Sequence, residues 1–188
     1  MFIVFEGIDG CGKSTQSALL AEWLTIQGYN VQLTAEPTEG SIGKFIREEI
    51  LSGKQKVEPE TLALLFTADR YEHLATEVMP AIQEGKIVVC ERYYYSTIAY
   101  QTAQGVDRSW LFDINKFATK PDLVFFLDVK PKTAMIRKEG KEIFENTPFL
   151  EKVYTQYIQF ADMHRIDSSK EPRVVFEKIR DTVSRVLK

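Results

Sequence analysis

A buried parallel sheet covered by helices on both faces is the α/β fold that three observations predict. The first is Gly7-Ile8-Asp9-Gly10-Cys11-Gly12-Lys13-Ser14-Thr15, which satisfies G-x-x-x-x-G-K-[ST] between an apolar run, Phe2–Phe5, and a helical pattern from Lys13 to Gln27. The second is Leu123–Leu127, a run without alternation that reads as a strand buried on both faces. The third is order along the chain: strands and helices alternate, which right-handed β-α-β units close into one parallel sheet. Together they describe a three-layer P-loop NTPase fold with a five-stranded parallel sheet, in a single domain over 1–188.

After the loop, Leu19, Leu20, Trp23 and Leu24 recur at helical spacing and Gly28 supplies a stop. Val31–Thr34 reads as the second strand. The turn Glu36–Gly40 then leads to Ser41, a plausible N-cap for a helix carrying Ile42, Phe45, Ile46 and Ile50 on one stripe. Arg47 falls on the flank of that stripe, where it can reach a ligand or equally stand solvated. A long helix spans about Pro59 to Met79, and Ile87–Cys90 is a third buried strand. Helices follow over Ser96–Gln104 and from the cap Asp107 through Phe117, with Trp110, Leu111, Ile114 and Phe117 as core positions. Beyond the fourth strand come a helix over Lys132–Lys138, a charged glycine-interrupted stretch over 139–146, a helix from Phe149 to about Ala161, a short strand near Arg165-Ile166 and an amphipathic closing helix with Val175, Ile179, Val183 and Val186. The stretch around 137–148 has the composition of a short lid, or of a solvated surface turn.

Lysine and arginine number 24 against 27 aspartates and glutamates, a net charge of −3, so no global basic field exists to hold nucleic acid or an anionic membrane. Met1 runs straight into a strand, with no leader-like segment and no bilayer-length apolar run, which predicts a cytoplasmic protein. Cys11 and Cys90, the only cysteines, are too few for a disulfide framework and lack metal-ligand spacing; an oxidisable pair near two strand ends is the alternative to unrelated reduced thiols.

In the P-loop setting, glycines let backbone N–H groups turn around a polyphosphate, and the following helix points its positive end at the same anion. Lys13 lies along the outer phosphates and Ser14 ligates Mg²⁺ in the roles this spacing assigns. Phe66 and Arg70, four apart, share one helix face and offer an aromatic plane beside a planar donor, though core Phe with surface Arg fits the same pattern. Glu91 and Arg92 follow the third strand, at the carboxyl end where open α/β sheets bind ligands. A phosphate loop alone admits a small-molecule kinase, a GTP switch or an ATP-driven motor. Asn115-Lys116-Phe117-Ala118 lacks the aspartate of a guanine reader, and scattered arginines near sheet ends and the lid suit phosphoryl transfer between two anions.

The phosphate loop with Asp9, Leu64–Arg70, Glu91-Arg92-Tyr93 through Ala99-Tyr100-Gln101, and Phe144-Glu145-Asn146 with Phe149-Leu150 together resemble thymidylate kinase, over nearly the whole chain. The resemblance implies a nucleoside monophosphate kinase, often a homodimer, that transfers the terminal phosphoryl of ATP to dTMP with Mg²⁺. It implies that Phe66 stacks on thymine, Arg70 and Gln101 bond its edge, and Tyr100 packs near the deoxyribose. By the same resemblance Asp9 contacts the 3′-hydroxyl, Arg47 and Arg92 hold the acceptor phosphate, and residues Gly7 to Thr15 bind ATP. Three positions depart from the family pattern. Glu91, placed to help hold Mg²⁺, stands where Asp is usual; Gly10 is neutral where some members are basic; Ile143 replaces an expected arginine. The lid charge in transfer is therefore expected from Arg137, assisted by Lys141.

Overall fold

The computed structural model describes residues 1–137 and 147–187. Five parallel strands, β1 (Phe2–Glu6), β2 (Val31–Ala35), β3 (Ile87–Glu91), β4 (Leu123–Asp128) and β5 (His164–Asp167), form one sheet in the order β2-β3-β1-β4-β5. The expected five-stranded parallel sheet is present. β1 is buried along its whole length because β3 and β4 flank it and helices cover both faces, which is why its sequence carries no alternation. From β1 the chain passes to β2 and β3 on one side and then crosses to β4 and β5 on the other, so a crevice opens at the carboxyl ends of the central strands.

Around the sheet run α1 (Lys13–Ile26), α2 (Ser41–Phe45), α3 (Pro59–His73), α4 (Met79–Gln83), α5 (Tyr94–Ala103), α6 (Arg108–Ile114), α7 (Pro131–Arg137), α8 (Thr147–Tyr157) and α9 (Pro172–Val186). α2 continues as a π-helical segment over Ile46–Leu51, and a π turn over Leu74–Val78 joins α3 to α4. The long helix therefore runs past Met79, because Pro80, whose missing N–H would interrupt a regular ladder, falls just after that turn. α9 buries Val175, Ile179 and Val183 at a spacing of four, whereas Val186, expected on the same stripe, is exposed at the last turn.

Other boundaries also differ from the sequence expectation. Gly40, not Ser41, occupies the N-cap of α2; its N–H donates to Thr38 Oγ1 at 3.1 Å, and Gly43 lies so close to the Thr38 backbone that a Cβ there would collide with it. α5 starts two residues before Ser96 because the buried carboxylate of Glu6 accepts from the N–H groups of Tyr93 (2.7 Å) and Ser96 (3.2 Å), an anion supplied from β1 to the start of the helix. α6 is capped by Asp107, which accepts from the Trp110 N–H at 2.8 Å, but it ends at Ile114. Asn115 turns inward to donate to Leu111 and accept from Arg70, and Phe117, expected in the core, is left 79% exposed. α8 ends at Tyr157, short of Ala161. Most of the lid expected at 137–148, including Lys138, Lys141 and Ile143, lies outside the described residues.

Candidate active site

Gly7, Gly10 and Gly12 adopt φ values of 141°, 77° and 100°, a backbone that L side chains rarely enter, and they wrap the phosphate loop at the foot of α1. Gly10 has a second reason to be bare: a Cβ would collide with the Ala134 carbonyl of α7. The basic residue that some family members carry at this position has no room here. The ammonium of Lys13 is buried within the loop, donating to the carbonyls of Gly7 (3.1 Å) and Ile8 (3.0 Å) and standing 3.9 Å from Asp9. The Ser14 hydroxyl donates to Glu91 Oε2 at 2.7 Å, so the longer carboxylate arm reaches the loop directly. One hydroxyl and one carboxylate, side by side in an open cleft, fit Mg²⁺, which takes few protein ligands and keeps waters and phosphate oxygens for the rest.

That cleft is lined by residues Asp9 to Gln16 and Glu91 on one side and by Arg137, Ser168 and Lys170 to Pro172 on the other. Arg137 donates to the carbonyls of Ser168 (2.8 Å) and Ser169 (2.9 Å), so its planar fork, expected to hold phosphate oxygens, here braces the opposite wall.

A second cleft shares Asp9 with the first and is lined by Phe66, Arg70, Arg92, Tyr100 and Gln101, together with Glu36, Pro37, Tyr93, Ser96 and Thr97. Six of the seven residues assigned from sequence to the acceptor, Asp9 among them, thus converge. Arg92, at the end of β3 with φ of 67°, is the only described non-glycine residue at positive φ; its guanidinium pairs with Asp9, donates to Ser96 Oγ at 3.0 Å and lies over the Tyr100 ring at 5.4 Å. Burial opposes its charge, but Asp9 acting together with Tyr100, Tyr157 and Glu6 outweighs it and holds the guanidinium protonated. Burial also pushes the Tyr100 phenol up, keeping it a neutral hydroxyl 3.4 Å from Asp9.

Arg70 is not a surface arginine. It is 1% exposed, pairs with Glu36 Oε2 at 2.8 Å, and donates to Asn115 Oδ1 (2.6 Å) and Thr97 Oγ1 (3.1 Å). Its Nε, the Oε1 of Gln101 and the Oε2 of Glu36 are buried without a hydrogen-bond partner among the described residues. Arg47 does not line the cleft. It donates to the carbonyls of Pro37 and Thr38 and pairs with Glu39 at 2.9 Å, holding the turn that places Pro37 in the wall.

Glu36, Ser96 and Thr97 escaped the sequence reading. The rule that singled out Glu91 and Arg92 at the end of β3 would also have found Glu36, the first residue after β2; no comparable signal marks Thr97. Cys11 and Cys90 are both free and buried, and burial pushes both thiols up, away from the reactive thiolate.

A phosphate loop at the carboxyl end of a parallel sheet, with a hydroxyl and a carboxylate beside it and an acceptor cleft sharing its aspartate, defines a P-loop phosphotransferase that works on two nucleotides. Comparison with known proteins narrows the class. The model of the thymidylate kinase family matches residues 5–179. The chain is 46% identical over 177 residues to a probable thymidylate kinase of Thermococcus kodakarensis, covering 87% of this chain and 85% of that protein. It is 48% identical to one of Methanocaldococcus jannaschii (91% and 88% covered) and 38% identical to one of Methanosphaera stadtmanae over the full length of both. The chain belongs to the thymidylate kinase family.

Proposed function

We propose that the chain transfers the terminal phosphoryl group of ATP to dTMP, giving ADP and dTDP for dTTP synthesis, in the cytoplasm. The observation that carries this reading is that a donor, Arg70 Nε, and an acceptor, Gln101 Oε1, lie buried in the second cleft without a hydrogen-bond partner among the described residues, beside Phe66; the third such atom there, Glu36 Oε2, is ion-paired with Arg70. Gln101 Nε2 already donates to Gln104 Oε1 at 3.2 Å, which leaves Oε1 as the acceptor. Thymine presents O4 as an acceptor and N3–H as a donor on one edge, so both atoms are satisfied together. Cytosine reverses that pattern and leaves both unpaired, a discrimination worth about 1 to 3 kcal/mol per buried group.

With the base so held, Tyr100 packs at the deoxyribose, Asp9 takes the 3′-hydroxyl, and Arg92 directs its charge at the acceptor phosphate. Arg47 supports the same phosphate site only through the Pro37–Thr38 turn that it braces. ATP lies on Gly7 to Thr15 with Lys13 along its outer phosphates. Mg²⁺, held by Ser14 and Glu91, neutralises phosphate charge when bound. Arg137 and Lys141 add the charge needed as the phosphoryl group passes between the nucleotides, where catalysis is mainly positioning and charge stabilisation. A homodimer is part of this proposal. Leu64 and Tyr71 are one heptad apart on α3, Phe117 donates its N–H to the Tyr71 hydroxyl at 3.3 Å, and Leu64 and Phe117 are both exposed apolar side chains.

A panel of nucleoside monophosphates assayed with ATP and Mg²⁺ tests the reading. dTMP is expected to be the best acceptor and dCMP a poor one. Slow GTP hydrolysis that no monophosphate accelerates would reject a kinase in favour of a switch.

A further inference from the structure

Behind the acceptor cleft lies a buried polar chain that none of the assigned roles uses. Arg70 Nη2 forms an ion pair with Glu36 Oε2 at 2.8 Å, an oxygen that has no hydrogen bond among the described residues, and the other carboxylate oxygen, Oε1, meets His73 Nδ1 at 3.1 Å. The opposite ring nitrogen, Nε2, stands 2.9 Å from Thr34 Oγ1 and 3.6 Å from Glu77, which in turn accepts from Gln32 Nε2 at 2.9 Å. Arg70, Glu36 and His73 are 1%, 5% and 2% exposed. One neutral tautomer satisfies both sides of the ring, with Nδ1–H donating to Glu36 and Nε2 accepting from the Thr34 hydroxyl.

Taking the cleft as the thymine site proposed above, we propose that His73 is a positioning residue for pyrimidine selection. With Oε2 in an ion pair but without a hydrogen bond, the Glu36 carboxylate can turn about its own bond unless its other oxygen is held. His73 removes that freedom by fixing Oε1, so Oε2 is presented to Arg70 in one direction. The guanidinium is planar, so orienting Nη2 orients Nε–H as well. His73 itself is not among the residues lining the cleft and acts only through Glu36.

The test compares the full chain with His73→Phe, His73→Asn and Thr34→Val, measuring kcat and KM for dTMP, dCMP and ATP alongside thermal melting. His73→Phe should raise the dTMP KM about tenfold, the size of losing one hydrogen bond to a charged group, and narrow the preference for dTMP over dCMP while the ATP KM stays unchanged. His73→Asn, whose amide N–H replaces Nδ1–H, should recover most of the preference. Thr34→Val, which releases only the far nitrogen, should shift the same way by less, and it carries the test alone if His73→Phe does not fold. An unchanged dTMP to dCMP ratio in the folded variants, or an Asn variant as impaired as Phe, overturns the inference. A wild type that turns over no dTMP overturns instead the reading of the cleft on which it rests.

Discussion

Arg70 and Arg92 reach the same cleft from different elements, and their surroundings assign them different work. Arg70 is sunk among Glu36, Asn115 and Thr97 with only Nε unpartnered, an arrangement suited to one planar edge of a base. Arg92 is closer to solvent, and its partner Asp9 belongs to the phosphate loop, so its charge serves a phosphate whatever base is attached. Arg70→Ala should therefore erode discrimination among bases, and it should also destabilise the fold by about 3 kcal/mol, because Glu36 is left as a buried unpaired charge. Arg92→Ala should weaken all monophosphates alike. Acceptor kinetics across the panel, with denaturant unfolding of each variant, check both; equal losses on every base from the two substitutions would refute the division.

At the scale of the element, the loop and α7 are locked together through Gly10. Restoring a basic residue at that position should not restore a missing charge, since any side chain meets the Ala134 carbonyl and the backbone stands at φ of 77°. Gly10→Ala is expected to cost at least about 1 kcal/mol from the left-handed backbone alone and to raise the ATP KM, read by calorimetric melting and steady-state kinetics. The cap of α6 offers a test with pH. The Ser109 hydroxyl, and after it the Trp110 N–H, hold the Asp107 carboxyl below its ordinary range. A carboxyl with a lowered folded-state pKa contributes stability above its unfolded pKa and loses it as pH falls through the folded value. Acidification should thus loosen the start of α6, seen as faster amide exchange there, and Asp107→Ala should show the loosened state at neutral pH with little further change on acidification.

Over the whole molecule, the exposed apolar strip of Leu64 and Phe117 beside Tyr71 makes a concrete demand. Leu64→Glu or Phe117→Glu should convert a sedimenting dimer to monomer without altering the sheet, and a wild type that sediments as monomer at every concentration would dismiss the dimer. Among the described residues, no helix is long and apolar enough to cross a membrane. Much of the fold and part of the site were legible in order along the chain. The phosphate loop is a local device, its glycines and lysine adjacent in sequence, and unalternating runs such as Phe2–Phe5 betray strands covered on both faces. Phe66, Arg70, Tyr100 and Gln101 could be nominated because helical spacing and strand ends are also local signals, and the family likeness supplied their roles. What local pattern could not carry was pairing at a distance. That Arg70 is buried rather than solvated depends on Glu36 and Asn115, 34 residues before it and 45 after. α5 begins at Tyr94 because a carboxylate on β1 reaches its first turn, and Phe117 is expelled because Asn115 is drawn inward. Periodicity records which face of an element is apolar; which buried charge meets which partner is decided only when the strands take their order, because an uncompensated charge in the interior is too costly to leave alone.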